Sequence, residues 1–172
     1  MPDIRCLVLD VDGVLTDGRL YCGPADEPQR AFHIHDGLAI EWFQRLGGPV
    51  VLVTAKRSQA VQQRAEELGV RQVVQGSQDK LADITRTLAT LGLTLEQAAV
   101  MGDDLPDLPA MTRCGYPLAP ADAVAEVKAA ARYVTERGGG HGAVREAIEH
   151  LLRASGRWDE VIRHYRDGGT TS

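Results

Sequence analysis

Apolar residues fall along this chain in two alternating patterns. Residues 4–9 and 50–53 are short, nearly unbroken apolar runs, and 70–74, 97–101 and 115–118 are further short strand-like segments. Such runs suit strands covered on both faces of a parallel sheet. Between them, apolar positions recur every three or four residues, the spacing of a helix with one buried face. Leu38, Ala39, Trp42, Phe43 and Leu46 make one such set, with Asp36 as the expected N-cap and Gly47 and Gly48 as the stop. Residues 58–68 carry Val61, Ala65 and Leu68 ahead of Gly69, and Leu81, Ile84, Leu88 and Leu91 precede Gly92. A short Pro-interrupted helix is expected over 105–111, a longer one over 121–131, and a last one over 143–152 behind a run of glycines. Two β-like pieces, 19–22 and 29–34, flank Gly23-Pro24-Ala25-Asp26-Glu27-Pro28 and predict a hairpin. Trp158 and Tyr165 in the tail read as docking residues.

Strand followed by helix, about five times over with short connections, predicts an α/β fold. The expected architecture is a doubly wound, mainly parallel, Rossmann-like sheet with a small β-hairpin insertion and no cap domain. The 172 residues suffice for one domain spanning 1–172, with the hairpin at about 19–34 and a glycine-rich C-terminal tail from about 138. In such sheets ligands bind beyond the carboxyl ends of the strands, where the strand order reverses. The first, second and fourth predicted strands run into Asp10 and Asp12, Thr54, and Asp103 and Asp104. Three strands thus deliver oxygen-bearing side chains to one edge.

Composition narrows the function classes. The chain is 44% hydrophobic and 25% charged, as globular proteins are. Its net charge of −5, with no basic cluster, argues against nucleic-acid partners. Cys6, Cys22 and Cys114 are dispersed, and the five His lack metal-ligand spacing, which argues against a disulfide framework and against zinc. No apolar stretch approaches the roughly 20 residues that cross a bilayer, so no membrane partner is expected and the location is expected to be cytoplasmic. Four carboxylates at one sheet edge repel one another unless a cation joins them. With neither thiols nor well-placed imidazoles, the expected ion is Mg²⁺ before Ca²⁺. Mg²⁺ commonly receives a phosphate, for which Thr54 and Lys80 offer a hydroxyl and an ammonium.

Four motifs in order sharpen this. Asp10-Val11-Asp12-Gly13-Val14-Leu15-Thr16-Asp17-Gly18 resembles the DxDGxxTDG nucleophile motif of haloacid dehalogenase superfamily phosphatases. Val53-Thr54, Lys80 and Gly102-Asp103-Asp104-Leu105-Pro106-Asp107 resemble the second, third and fourth motifs. Three further stretches are His33-Ile34-His35-Asp36-Gly37, Gln75-Gly76-Ser77-Gln78-Asp79-Lys80 and Gly139-Gly140-His141-Gly142-Ala143-Val144-Arg145-Glu146. They are similar to the small capless 3-deoxy-D-manno-octulosonate 8-phosphate phosphatases.

The resemblance implies a Mg²⁺-dependent phosphomonoester hydrolase acting through an aspartyl-phosphate. It makes Asp10 the nucleophile and Asp12 the proton shuttle. It gives the metal Asp10, the backbone carbonyl of Asp12, and Asp103, and it gives the phosphate Thr54 and Lys80. Asp104 and Asp107 would stand behind these, and His35, Asp36, Gly37, Lys56 and Arg64 would meet the substrate. Lys56 and His35 each stand where the family commonly has arginine, replacing a planar fork by other donors. The implied partners are a small phosphorylated keto-sugar acid and further copies of the chain, in a homotetramer whose neighbouring hairpin walls the site. Lipopolysaccharide assembly would be the setting. Nine-carbon keto-sugar acid 9-phosphates, or small phosphates in general, are alternative substrates. A non-catalytic oligomerisation module is the alternative of another class, and the full set of motif residues weighs against it.

Overall fold

The computed structural model describes residues 2–21 and 29–169. Six parallel strands form one sheet in the order β3-β2-β1-β4-β5-β6: β1 is Cys6–Asp10, β2 Val50–Thr54, β3 Gln72–Gln75, β4 Ala98–Met101, β5 Tyr116–Ala119 and β6 Tyr133–Val134. Side chains alternate across each strand and so fill two cores. Leu7, Leu9, Val50, Leu52, Ala99 and Met101 face α1 (Ile34–Leu46), α2 (Gln59–Glu67), α6 (Ala143–Ala154) and α7 (Trp158–Arg166). Cys6, Val8, Val51, Val53, Ala98 and Val100 face α3 (Lys80–Thr90), α4 (Leu108–Met111) and α5 (Ala125–Ala130). Continuous apolar runs are therefore required in β1, β2 and β4, whose residues are buried throughout.

The chain steps outward from β1 to β2 and β3, then returns through α3 to β4 on the other side of β1. This reversal opens a crevice beyond the carboxyl ends of β1 and β4. The loop after β1 is drawn tight there, since the N–H groups of Val14, Leu15 and Thr16 all donate to the Val11 carbonyl. Gly13, at φ +93°, supplies the left-handed turn. The glycine run before α6 lies directly on this loop. Gly140 N–H donates to the Val14 carbonyl at 3.1 Å, and a Cβ on Gly139 would collide with the Gly13 carbonyl.

Several expectations are corrected. Helix α1 starts at Ile34, with His33 rather than Asp36 as N-cap; the His33 imidazole accepts from His35 N–H. Asp36 caps a different helix, its Oδ1 accepting from Arg145 N–H at 2.7 Å in the first turn of α6. The second piece of the hairpin is not a strand. Among the described residues one antiparallel bridge joins Tyr21 to Gln29 and residues 30–33 are irregular, and the expected turn at 22–28 lies outside the described residues. α5 is shorter than its apolar pattern, because residues 121–124 form a turn pinned by Ala121 N–H to the Arg137 carbonyl and Val124 N–H to the Asp103 carbonyl. The pattern did not reveal β6 or α7. The latter docks through buried Trp158 and Val161, and Trp42 Nε1–H donates to the Tyr165 hydroxyl at 3.0 Å. Among the described residues no cap domain stands over the crevice, and no helix is long and apolar enough to cross a membrane.

Candidate active site

Asp10 ends β1 and is buried; Asp103 follows β4 across Gly102. Lys80 opens α3, held there by Asp79, whose carboxylate accepts from Ala82 N–H at 3.0 Å. Only 8% of the Lys80 side chain is exposed, and its Nζ lies 2.9 Å from Asp10 Oδ2 and 2.7 Å from Asp107 Oδ1. The other Asp107 oxygen accepts from the N–H groups of Asp103 (3.1 Å) and Asp104 (3.3 Å), closing the turn at 103–107. The turn, the lysine and the strand end thus hold one another in place.

Asp10, Asp103 and Asp107 each bring a carboxylate oxygen within 4.8 Å of the others. One lysine cannot neutralise three acids. Burial first, then the Asp107 charge, lifts Asp10 to about 6 against the pull of Lys80. Burial, with Asp10 and Asp107 adding repulsion, lifts Asp103 to about 8. Burial also works against the Lys80 ammonium, but Asp10 and Asp107 outweigh it and its pKa is raised. Asp103 Oδ1 is buried with no hydrogen-bond partner. An all-oxygen cluster short of positive charge, with one acceptor unsatisfied, fits a hard divalent cation.

Asp12 stands beside this group with both oxygens engaged. Oδ2 accepts from the Thr54 hydroxyl at 3.3 Å, and Oδ1 accepts from Arg30 Nε at 2.7 Å. Thr54 Oγ1 in turn accepts from Lys56 N–H at 3.1 Å. A cleft of about 720 Å³, lined by Ala55, Ser77, Gln78, Lys80, Pro106 and Arg113, opens along one side of Lys80.

The chain is 40% identical over 159 residues to the 3-deoxy-D-manno-octulosonate 8-phosphate phosphatase KdsC of Escherichia coli K12, covering 92% of this chain and 85% of that one. It belongs to the haloacid dehalogenase superfamily phosphatases, in the KdsC/YrbI-like group. The haloacid dehalogenase-like hydrolase family matches residues 72–148. The 3-deoxy-D-manno-octulosonate 8-phosphate phosphatase of Moraxella catarrhalis, solved with magnesium, phosphate and KDO, superposes with a TM-score of 0.92 at 34% identity, covering 95% of this chain and 94% of that one. A probable YrbI-family phosphatase of Pseudomonas syringae superposes with a TM-score of 0.94 at 38% identity, covering 97% and 95%.

For this phosphatase the fold brings Asp10, Asp12, Thr54, Lys80, Asp103 and Asp107 together. Asp107 lies deeper than the resemblance implies, inside the carboxylate group, while exposed Asp104 caps the turn through Leu105 N–H. The residues expected to meet substrate are more scattered. Asp36 is buried and committed to α6, and Gly37 is buried because the Arg64 guanidinium lies against it. Arg64 also pairs with Glu67 at 3.1 Å. Lys56 is exposed, and His35 borders a separate cleft of about 430 Å³ with Arg137 and Arg145. Arg30 escaped the sequence reading, since a lone arginine in a polar segment carries no periodic signal. The hairpin prediction held the clue, because a returning chain at Gln29 must turn side chains back over the strand ends.

Proposed function

We propose that this phosphatase is Mg²⁺-dependent and hydrolyses a keto-sugar acid phosphate of the 3-deoxy-D-manno-octulosonate 8-phosphate type through an aspartyl-phosphate on Asp10. The observation that carries the reading is Asp10 buried at a strand end, 2.9 Å from Lys80 and beside Asp103 and Asp107. A carboxylate so placed can attack an anionic phosphoryl group only once cations offset the neighbouring acids, Lys80 supplying part of that charge and a bound metal the rest. Lys80 Nζ and the Thr54 hydroxyl bind oxygens of that group, and Asp107 keeps Lys80 aimed at it. Mg²⁺, held by Asp10, Asp103 and the Asp12 carbonyl, would neutralise charge on the transferring group. Asp12 protonates the leaving oxygen, then takes a proton from the water that attacks the aspartyl-phosphate. The activities of the Escherichia coli and Moraxella catarrhalis relatives support the substrate class.

The homotetramer belongs to the same proposal. Leu20, Tyr21 and Ile34, which flank the hairpin, are 49%, 50% and 75% exposed, an apolar group suited to a neighbouring copy. Size-exclusion chromatography with light scattering should give four chains, and a monomer would remove the neighbour's wall from the proposal. For the reaction, phosphate release is measured from eight- and nine-carbon keto-sugar acid phosphates, hexose phosphates and an aryl phosphate, with Mg²⁺ and with EDTA. The eight-carbon acid should be preferred, and Asp10→Asn should abolish turnover. An Asp10→Asn variant as active as the parent would overturn the mechanism, and equal rates across the panel would overturn the substrate class.

A further inference from the structure

Arg30 is an unusual place to bury a cation. Its side chain is 3% exposed, yet its one ion pair among the described residues is to Asp12, and Nη1 is buried with no hydrogen-bond partner. An arginine serving only the fold spreads its five donors over carbonyls, since an unmade buried hydrogen bond is costly. Here the guanidinium is spent on Asp12, a carboxylate beside the site that lies outside the Asp10, Asp103 and Asp107 group.

The two bonds on Asp12 are unequal. Nε–H···Oδ1 at 2.7 Å is short and charge-assisted, whereas Thr54 Oγ1–H···Oδ2 at 3.3 Å is long and joins the end of β2 to the loop after β1. Thr54 is also the hydroxyl that the proposed mechanism turns toward the phosphoryl group. Its bond to Oδ2 is therefore the one released when substrate enters, and Oδ1 stays fixed.

We infer that Arg30 is a positioning residue for Asp12: it anchors Oδ1 so that Oδ2 faces the leaving-group oxygen. This rests on the reading of Asp12 as proton shuttle. In the first half-reaction the Asp10–phosphorus bond forms as the phosphorus–oxygen bond to the leaving group breaks. The proton on Oδ2 passes to that oxygen, and Asp12 is left as a carboxylate paired with Arg30. In the second, Oδ2 takes a proton from water as its oxygen bonds to phosphorus and the Asp10–phosphorus bond breaks. Inorganic phosphate leaves and Asp12 is protonated again. The hairpin, through its first returning residues, thereby sets the geometry of proton transfer.

The test uses leaving-group dependence, which a purely structural role would not move. The intact protein with Mg²⁺ is assayed on 4-nitrophenyl, phenyl and 4-methoxyphenyl phosphates as parent, Arg30→Met, Arg30→Lys, Asp12→Asn and Arg30→Met/Asp12→Asn. A good leaving group needs little protonation and a poor one needs much. Arg30→Met should lose less than ~10-fold on 4-nitrophenyl phosphate and ~100-fold or more on phenyl phosphate, within the range general acids contribute. Arg30→Lys should recover most of the phenyl phosphate rate. The double variant should be no steeper than Asp12→Asn, as expected of residues acting as a unit. Equal losses on all three phosphates for Arg30→Met and Arg30→Lys, or no loss, would overturn the inference. Failure of the underlying reading looks different: the parent would show no Mg²⁺-dependent turnover, or Asp12→Asn would leave the series as flat as the parent.

Discussion

With no divalent ion bound, raising the pH should destabilise this phosphatase, because its carboxylate cluster sets three acids against one lysine. Asp10 is lifted to about 6 and Asp103 to about 8, both above the unfolded value of 3.8. A carboxyl raised on folding gives its full contribution below the unfolded pKa and loses it as the pH rises through the folded one. Each pH unit over which the folded state keeps a proton that the unfolded state has lost is worth about 1.4 kcal/mol. Between pH 5 and 6 Asp10 loses about that amount; between pH 5 and 8 Asp103 loses three times it, halved to roughly 2 kcal/mol because water reaches part of its side chain. Together these make about 3 kcal/mol, or a fall in melting temperature of roughly 6–12 °C for a chain of this size. The assay is calorimetric melting in EDTA from pH 5 to 8.5, repeated with saturating Mg²⁺, on the parent and Asp103→Asn. The EDTA melting temperature of the parent should fall across this range, and that of Asp103→Asn should fall less. Mg²⁺ should restore the parent strongly at pH 8 and weakly at pH 5, since binding must displace protons. A parent curve in EDTA that is flat or rising, or an Asp103→Asn protein less stable than the parent at pH 8 in EDTA, would refute the reasoning.

Asp107→Ala leaves Lys80 with one partner and the Asp103 and Asp104 N–H groups without an acceptor; urea denaturation should show a loss of about 3 kcal/mol or more. Gly13→Ala would force a side chain at φ +93° against the Asp103 carboxylate. Calorimetric titration with Mg²⁺ should then show affinity weakened ~10-fold or more, about 1.4 kcal/mol, while circular dichroism stays that of the parent. Trp158 is 5% exposed with Arg145 and Arg153 each 5.1 Å from its ring centre. Trp158→Ala should lower unfolding stability by about 3–5 kcal/mol, and a loss below about 1 kcal/mol would mean that α7 contributes little.

The sheet was legible where burial on both faces demands it. β1, β2 and β4 are central strands, and their apolar runs are visible in the residues alone. β6 spans two residues at the sheet edge, too few for any pattern. α7 was hidden differently. Trp158, Val161, Ile162 and Tyr165 do recur at helical spacing, but the charged residues between them made the tail read as isolated aromatics. The carboxylates were readable because strand ends announce themselves, and Lys80 because its motif follows a strand. Asp36 and Arg30 show what a linear reading lacks. Both act on groups distant in the chain: Asp36 on an N–H of Arg145, and Arg30 on a carboxylate across the hairpin. Nothing local distinguishes them from a helix cap and a surface charge.

The glycines against the loop after β1 impose an order on how this molecule comes into being. Gly139 and Gly140 lie on Gly13, Val14 and Thr16 so closely that no side chain fits between the two segments. The loop that carries Asp12 leaves the ribosome well before the segment that braces it. A nascent chain that stops before Gly138 therefore has its acids but not their support. Hydrolytic competence waits on α6, when Gly139 and Gly140 close on the loop after β1.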